Sequence, residues 1–161
     1  MSKTDIFDMR NAKPKLLNNN LENQNHIKQK NILFNHEFFL RVYYEDTDSA
    51  GIVYYANYLK FTERARTEMM RSLGLTHSEL KNKYDLLFAV RNYSINYLSP
   101  ARLDDELIVR SRVSAVLGAS LLLDQEISRK SSCLASASMC LVLINNNGKP
   151  SRLPENLRNL F

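Results

Sequence analysis

The stretch that decides the fold runs from Phe38 to Leu73 and reads FFLRVYYEDTDSAGIVYYANYLKFTERARTEMMRSL. Its first seven residues, 38–44, are rich in aromatic and β-branched side chains and predict a β-strand. The polar run 45–51 contains Asp, Ser and Gly, which favour a turn. From Asn57 onward, apolar residues recur at steps of three and four, which predicts a helix that ends near Leu73. A strand, a loop and one long helix therefore follow one another along the chain.

Both ends of this helix have local signals. Asn57 is a candidate N-cap, because an Asn side chain can accept a hydrogen bond from a free N–H group of the first turn. Gly74 directly follows the last apolar residue and is suited to the left-handed conformation that ends a helix. We therefore expect one amphipathic helix between these two residues.

The second half of the sequence predicts strands. Apolar and polar residues alternate in three segments, at 93–97, 107–113 and 121–128, and residues 134–144 form a longer apolar run that ends at a turn signal, Asn145-Asn146-Asn147-Gly148. The links between them are short, so we expect each strand to pair with the next in an antiparallel meander. The fold class is α+β, a five-stranded antiparallel sheet with the helix packed on one face. One helix covers little of such a sheet and both edges stay open, so we expect a homodimer or a homotetramer.

The composition is that of one globular domain. Apolar residues make up 44% of the 161 residues, which is enough for one core. No apolar run reaches the roughly 18 residues of a transmembrane helix, so no stable membrane insertion is expected. The first residues are charged and contain no apolar segment of a secretory signal, so we expect a cytoplasmic protein. Cys133 and Cys140 are too few for a disulfide framework or a four-ligand zinc site, and no metal is expected.

Residues 1–35 differ in composition from the rest. They contain six basic and three acidic residues, a charge of +3, and eight Asn, but few large apolar side chains. Such a segment cannot bury enough apolar surface to offset the entropy of ordering, so it predicts a disordered extension before a domain at 36–161. The alternative is a basic arm for nucleic acid or anionic lipid. Its charges are dispersed and no aromatic residues alternate with them, so no nucleic-acid partner is expected.

Several catalytic motifs are missing from the sequence. It contains no Gly-rich phosphate loop, no G-x-S-x-G and no C-x-x-C. The three histidines, His26, His36 and His77, stand beside no candidate nucleophile, which disfavours histidine-dependent hydrolysis. What remains is a cluster of carboxylates at 45–48, just before the start of the helix.

This cluster has a structural and a catalytic interpretation. The structural one is a turn with solvated charges. In the catalytic one, free N–H groups at the helix start bind an oxyanion, and an ionised Asp attacks a carbonyl or takes a proton from water. Together these groups are the minimum for transfer of an acyl group to water. Thioesters suit so small a site, because thiolate is a good leaving group.

The residues of this region also carry a resemblance. The segment 41–61, RVYYEDTDSAGIVYYANYLKF, resembles hotdog-fold acyl-CoA thioesterases of the 4-hydroxybenzoyl-CoA thioesterase family, most closely its YbgC-type branch, which is associated with the Tol-Pal system. The segments ERARTE at 63–68 and SPARLDD at 99–105 match as well, and the resemblance covers roughly residues 38–158. It implies a single hotdog domain, with the sheet wrapped around a central helix, that hydrolyses an acyl-CoA thioester to a carboxylic acid and coenzyme A. It implies no cofactor, since coenzyme A is part of the substrate.

The resemblance also implies catalytic and substrate-binding residues. Asp48 would be the catalytic carboxylate, acting as nucleophile or as general base. The backbone N–H of Tyr55 would polarise the thioester carbonyl. Many YbgC-type members have His at this position, so an acid role of that side chain is not carried over to Tyr. Asn57 and Tyr58 would line the acyl pocket, cap the helix or belong to the core.

Other candidates lie beyond the loop. Glu63 is a second candidate carboxylate, because other hotdog thioesterases place their acid on the central helix; the alternative is an ion pair with Arg66 or Arg91. Ser120 is a candidate substrate contact. Basic side chains that could meet coenzyme A phosphates are Arg102, Arg110, Arg112, Arg129 and Lys130. Some relatives have a run of basic residues before the fourth strand. This sequence has Val116-Leu117-Gly118 at that position, so the phosphate clamp of those relatives is not implied.

The choice between an enzyme and a binding protein stays open at this point. An acyl-CoA or acyl carrier protein thioester is the substrate expected for the hydrolase, with the active site at a dimer interface. A hotdog dehydratase or hydratase would need a catalytic His on the sheet or helix, and none is predicted there. A non-catalytic module that binds acyl groups or a partner would use Asp48 as a structural residue only.

Overall fold

One helix, α1 (Asn57–Ser72), packs on one face of a five-stranded antiparallel sheet in the computed structural model, which describes residues 34–161. The strands are β1 (Phe34–Arg41), β2 (Leu86–Tyr97), β3 (Glu106–Val116), β4 (Ser120–Arg129) and β5 (Ser132–Asn145). Two shorter helices are α2 (His77–Tyr84) and α3 (Glu155–Arg158). The α+β class, with a five-stranded antiparallel sheet and one long helix, is therefore confirmed.

The predicted extension, residues 1–35, lies outside the described residues except for Phe34 and Asn35. These two are the first residues of β1, so the sheet begins two residues before the expected boundary at 36. Whether residues 1–33 are disordered stays a prediction. None of the helices within 34–161 is long and apolar enough to cross a membrane.

The order of the strands corrects the expected meander. The sheet runs β1-β3-β4-β5-β2, and β2 pairs with β5, from Leu86 opposite Asn145 to Tyr97 opposite Ala135. Only β3, β4 and β5 are consecutive neighbours. The link between β2 and β3, residues 98–105, crosses three strand spacings, about 14 Å. Eight residues of extended chain reach up to about 26–29 Å, so a short link does not require neighbouring strands.

Two local predictions also need correction. The first strand ends at Arg41 rather than Tyr44, because Tyr44–Asp46 form a 3₁₀ turn. Helix α2 was not expected. It begins with a capping box in which Thr76 accepts from the Glu79 N–H while the Glu79 carboxylate accepts from Thr76. Its only buried residue is Leu80, so it lacks the apolar periodicity that made α1 visible.

The core divides along the length of α1. Near the first half of the helix, Tyr58, Phe61 and Ala65 belong to a cluster with strand residues such as Leu107 and Ile127. Near its end, Met69 and Met70 belong to a second cluster that includes Leu121, Leu123 and Leu141. The helix start, and the loop before it, therefore lie at one end of the sheet.

A buried polar contact sets the position of α1 on the sheet. Gln125 of β4 is only 3% exposed, and its side-chain amide donates to the Thr62 carbonyl (3.0 Å) and to the Ser111 hydroxyl (2.8 Å). A hydrogen bond inside the protein has no competing water, so it resists sliding of the helix. The middle of α1 is thus held relative to strands β3 and β4.

We expect Phe61→Ala to lower the free energy of unfolding by about 3–5 kcal/mol, because Phe61 is fully buried at the centre of its cluster. Urea denaturation followed by circular dichroism measures the change. Leu59→Ala on the same helix is the matched control, since Leu59 is 43% exposed. A cost for Phe61→Ala no larger than for Leu59→Ala would contradict the described packing.

Candidate active site

The loop before α1 is closed by its own backbone. Thr47 and Val53 form an antiparallel bridge, and the Asp48 N–H donates to the Ile52 carbonyl (2.9 Å). The Gly51 N–H donates to the Asp48 carbonyl (2.9 Å), and Gly51 has a φ of +70°. This left-handed conformation favours glycine, so the G in the sequence stretch has a conformational role. The result is a tight hairpin in which Asp48 is the first residue of the turn.

The two aspartates of the loop have different environments. Asp46 is 3% exposed, and its Oδ2 accepts from the Tyr43 N–H (2.9 Å). Asp48 is exposed, and its Oδ1 accepts from the Ala50 N–H (2.8 Å). No other hydrogen bond to the Asp48 carboxylate exists within residues 34–161, so Oδ2 is available. Of the two, Asp48 is the one that can meet a substrate.

Backbone and side-chain contacts join the loop to the helix start. The Asp46 carbonyl accepts from the Tyr54 N–H (2.9 Å) and from the Asn57 side-chain amide (2.9 Å). Asn57 is therefore not the N-cap: the cap is Ala56, whose side chain makes no cap hydrogen bond, and Asn57 is the first helical residue. Its buried amide points back and holds the loop instead.

Free N–H groups stand at this helix start. The Asn57 N–H donates to the Tyr54 carbonyl (2.8 Å), but within residues 34–161 neither the Tyr55 nor the Ala56 N–H finds an acceptor. The Tyr55 carbonyl accepts from the Tyr97 hydroxyl (3.1 Å). The Tyr55 ring is 60% exposed and lies against the Tyr54 ring, with centroids 4.7 Å apart. The predicted oxyanion donor, the Tyr55 N–H, is thus unpaired at a partly exposed helix N-terminus.

Tyr58 lies in the protein interior. It is 3% exposed, and its hydroxyl accepts from the Ala101 N–H (2.9 Å). Its ring lies near the rings of Phe61 and Tyr97. Burial raises the pKa of Tyr58 above its ordinary value, partly offset by the Ala101 hydrogen bond. Asn57 and Tyr58 both bond to protein atoms, which favours their interpretation as core residues; contact with a substrate stays a prediction.

Glu63 and Ser120 lie away from the loop tip. Glu63 is exposed on α1, where it pairs with Arg66 (2.9 Å) and accepts from the Thr67 hydroxyl (3.1 Å). This is the predicted ion-pair alternative. Ser120 begins β4 beside Leu121, which shares a cluster with Met69 near the end of α1. A dozen helical residues separate that end from the start, about 18 Å, so the chain does not bring Ser120 to Asp48.

Two of the five basic candidates form ion pairs with carboxylates. Arg110 pairs with Glu37 (2.7 Å), and Arg129 pairs with Asp105 (2.6 Å). Arg129 and Lys130 line a groove of about 900 Å³ that also contains Arg41, Asp104, Asp105 and Glu106. Its three basic and three acidic side chains balance, so charge gives it no preference for phosphates. Arg102 has a different position: its backbone bridges Ile52, next to the loop tip.

Histidine and metal chemistry gain no support from the described residues. His36 lies on β1 opposite Ser111, and His77 begins α2 with its ring near the Thr67 hydroxyl (3.3 Å). The expectation that no His lies on the sheet or on a helix is therefore wrong. Within residues 34–161, however, neither of the two has a hydrogen bond to the Asp48 loop. No group of three or more His, Cys, Asp and Glu within 34–161 could hold a metal ion. Cys133 and Cys140 are both free, and burial raises the pKa of the Cys133 thiol, which disfavours the thiolate.

The family model of the thioesterase superfamily matches residues 50–135 of this sequence. The chain belongs to the thioesterase superfamily. Among its relatives in this superfamily is the acyl-CoA thioesterase YbgC of Haemophilus influenzae, which is 41% identical over 125 residues, 77% of this chain and 92% of the relative.

Solved thioesterase structures have the same fold. A probable thioesterase from Bartonella henselae is 40% identical and superimposes with a TM-score of 0.72, over 75% of this chain and all of the other. A 1,4-dihydroxy-2-naphthoyl-CoA thioesterase from Synechocystis is 26% identical, with a TM-score of 0.73 over 79% of this chain and 95% of the other. The hotdog architecture that the sequence resemblance implied is therefore confirmed for this member of the thioesterase superfamily.

Two residues of the site had no sequence signal. Tyr97 was expected only as one residue of an alternating strand, and its bond to the Tyr55 carbonyl joins positions 42 residues apart. Asp46 stood in the same acidic cluster as Asp48, and only its burial separates the two. The alternation of 93–97 could have placed Tyr97 on the helix side of the sheet, but not opposite a particular peptide.

We expect stability to fall as the pH rises above about 10, the ordinary pKa of Tyr. The folded protein binds the Tyr58 proton more tightly than the unfolded chain does, because burial raises the pKa of Tyr58. Stability is therefore fully present below the unfolded pKa and is lost between it and the higher folded pKa. Urea denaturation at pH 9 to 11 measures the slope.

Tyr58→Phe isolates this effect, because it removes the buried ionisable hydroxyl. We expect a lower stability at neutral pH, since the Ala101 N–H loses its acceptor, but a shallower fall at alkaline pH. Tyr44→Phe is the control, because the Tyr44 side chain is 83% exposed. An alkaline slope that Tyr58→Phe leaves unchanged would contradict the assignment to Tyr58.

Proposed function

We propose that this protein hydrolyses acyl-CoA thioesters to a carboxylic acid and free coenzyme A. One observation carries the proposal: the exposed Asp48 carboxylate, one oxygen of which has no hydrogen-bond partner within residues 34–161, stands on the hairpin that leads into the start of α1, where the Tyr55 and Ala56 N–H groups have no acceptor among the same residues. A carboxylate next to main-chain oxyanion donors is the apparatus that hydrolysis of a thioester requires. The relatives' names, acyl-CoA thioesterase and thioester hydrolase, support the same activity.

The Asp48 carboxylate has two possible chemical roles in this reaction. As general base, its free oxygen takes a proton from water while the water oxygen bonds to the thioester carbon. The carbonyl oxygen becomes an oxyanion facing the Tyr55 N–H, and its collapse expels the thiolate, which takes up the proton. As nucleophile, Asp48 itself bonds to the carbon and expels the thiolate, and water then cleaves the mixed anhydride. Both routes consume one water and release one acid and one thiol.

The surroundings of the site favour an apolar acyl group. Three large side chains near the helix start are exposed, namely Tyr54, Tyr55 and Leu59. Exposed apolar and aromatic surface in one place is typical of a binding site. Aromatic and aliphatic acyl groups both fit this description. Arg102, beside the loop through its bridge with Ile52, is our candidate for a coenzyme A phosphate contact.

The carrier of the acyl group is the finer part of the proposal. We expect coenzyme A, with a carrier-protein thioester as the other possible carrier. To distinguish the two carriers, the same acyl group is offered on each of them, and the carrier with the higher kcat/KM is the preferred one. The cytoplasmic location and the absence of a cofactor stay predictions, and both are consistent with a substrate that supplies coenzyme A itself.

Asp48→Asn should lower kcat by about 10²- to 10⁴-fold, because the amide can neither take a proton nor attack the carbonyl. Thiol release from a panel of short, long and aromatic acyl-CoAs measures the loss, and circular dichroism checks the fold. Glu45→Gln, which changes an exposed carboxylate of the same loop, is the matched control and should keep wild-type activity.

The outcomes of this experiment separate the alternatives. A wild-type protein inert on every thioester would overturn the hydrolase and leave the acyl- or partner-binding module. An Asp48→Asn variant as active as wild type would move the catalytic carboxylate elsewhere, with Glu63→Gln as the next variant. A single turnover in H₂¹⁸O that leaves ¹⁸O in the Asp48 carboxylate identifies the nucleophilic route, because water then cleaves the anhydride at the Asp48 carbonyl carbon.

We further propose that a second copy of the chain pairs along β2. Among the strands of residues 34–161, the two at the ends of the sheet, β1 and β2, each pair on one side only. On β1 the outward positions include the charged Glu37 and Arg41, which protect an edge from pairing. The longer strand β2 has one exposed charged residue, Arg91, and its other exposed positions are Val90 and the neutral Asn92, Ser94 and Asn96. Because Tyr97 ends β2 and bonds to Tyr55, a copy on this edge would stand beside the site.

Val90→Asp should weaken this association, because Val90 is a 50% exposed apolar residue of β2 and the charge would be desolvated on pairing. Sedimentation equilibrium of wild type and variant measures the change, with about a tenfold or greater rise in the dissociation constant expected. Leu103→Asp, at an exposed apolar residue off the sheet edge, is the control. A wild-type monomer at micromolar concentration would contradict the proposal.

A further inference from the structure

The hydroxyl of Tyr97 reaches the peptide between Tyr55 and Ala56 from the end of β2. It donates to the Tyr55 carbonyl at 3.1 Å. The Tyr97 ring packs edge-on against the Tyr58 ring, with centroids 5.3 Å apart and planes at 75°. Tyr58 is itself fixed by the Ala101 N–H. The hydroxyl is therefore held in place by a strand and by a buried ring.

The Tyr55 carbonyl lies outside the hydrogen-bond ladder of the helix. Helix α1 begins at Asn57, and the Leu59 N–H turns to the Ala56 carbonyl (3.2 Å). A carbonyl at this position would otherwise be free to join the first helical turn or to face water. Tyr97 supplies the partner that the helix does not, and so fixes the orientation of this peptide.

Orientation of the carbonyl determines the direction of the next N–H group. The Tyr55 carbonyl and the Ala56 N–H belong to one planar trans peptide, so they point in opposite directions. Ala56 has αR backbone angles, φ −69° and ψ −21°, so its N–H points out of the N-terminal end of α1 like those of a helical first turn. A hydrogen bond to the carbonyl also polarises the peptide and makes its N–H a stronger donor.

We propose that Tyr97 is a positioning residue for thioester hydrolysis, which holds and polarises the Ala56 N–H as a second oxyanion donor beside the Tyr55 N–H. This inference rests on the proposed function, because the oxyanion exists only if the thioester is attacked. Tyr97 acts through the peptide and takes no proton in the reaction. Its contribution falls on the transition state, where charge on the carbonyl oxygen is largest.

Tyr97→Phe tests this role, because it removes the hydroxyl and keeps the ring contact with Tyr58. We expect kcat to fall about tenfold, the rate equivalent of about 1.4 kcal/mol, with KM within a factor of two. Tyr93→Phe is the matched control. Tyr93 lies on the same strand and its hydroxyl also bonds to α1, but at the Thr62 hydroxyl (3.2 Å), away from the helix start. We expect it to keep wild-type kcat.

A spectroscopic readout separates positioning from a general loss of stability. The acyl-CoA that wild type cleaves best is bound to the inactive Asp48→Asn variant, and its thioester carbonyl is examined by Raman spectroscopy. A stronger donor lowers the stretching frequency of the thioester carbonyl. We expect the Asp48→Asn/Tyr97→Phe double variant to return this frequency toward its value in water, and Asp48→Asn/Tyr93→Phe to leave it shifted.

The outcomes distinguish this inference from the proposed function. If wild type cleaves thioesters and Asp48→Asn does not, but Tyr97→Phe has unchanged kcat and carbonyl frequency, the positioning role is overturned while the hydrolase stands. A change in KM alone would make Tyr97 a substrate contact, which also overturns it. Equal losses of kcat for Tyr97→Phe and Tyr93→Phe would mean that both variants act through a general loss of stability, which also overturns the positioning role. If wild type is inert, the proposed function itself has failed.

Discussion

The site depends on one buried residue, Asp46. Its carboxylate accepts the Tyr43 N–H at the end of the first strand, and its carbonyl accepts both the Tyr54 N–H and the Asn57 amide. A buried acid is costly unless its polar atoms are paired, so these bonds fix the loop as a unit. Because Tyr54 and Asn57 are bound in this way, the N–H groups of the two residues between them find no acceptor within residues 34–161. The free Tyr55 N–H is a consequence of the hydrogen bonds that its neighbours make.

The rest of the fold places this unit where a substrate can reach it. Gln125 holds the middle of α1 on β3 and β4, and the cluster around Phe61 fills the space below its first half. The strand order then brings the end of β2 to the helix start, where Tyr97 meets Tyr55. In the dimer proposed above, β2 has two roles, because the strand that carries Tyr97 is also the one that meets the second copy.

Local patterns predicted what depends on local physics. The periodicity of α1, the left-handed Gly74 and the alternation within the strands all follow from short-range sterics and burial, and these were confirmed. The position of β2 beside β5 was not, because the length of a link permits several neighbours and only the packed sheet selects one. Helix α2 had its capping box in the sequence, at Thr76 and Glu79, but too few buried residues to show a period.

The candidate site was predictable to the same extent. The resemblance separated Asp48 from Asp46, and burial in the structure gives the physical reason for that choice. Asn57 was expected to cap the helix through its side-chain oxygen. The helix begins one residue earlier than that, with Ala56 at the cap position, and the Asn57 amide donates to the Asp46 carbonyl of the loop. Contacts between residues 11 or 42 positions apart depend on the whole chain path, and no local pattern contains them.

The proposed oxyanion donors belong to the main chain. At position 55, a change of side chain is therefore distinct from a change that removes the backbone N–H. Every amino acid except proline carries the same N–H group, so the side chain can be exchanged while the donor persists. The Tyr55 ring faces outward, where a new side chain meets incoming ligand and solvent rather than the core. Lineages of this fold can therefore diversify what they recognise at the very residue that supplies the chemistry, with proline as the one forbidden replacement.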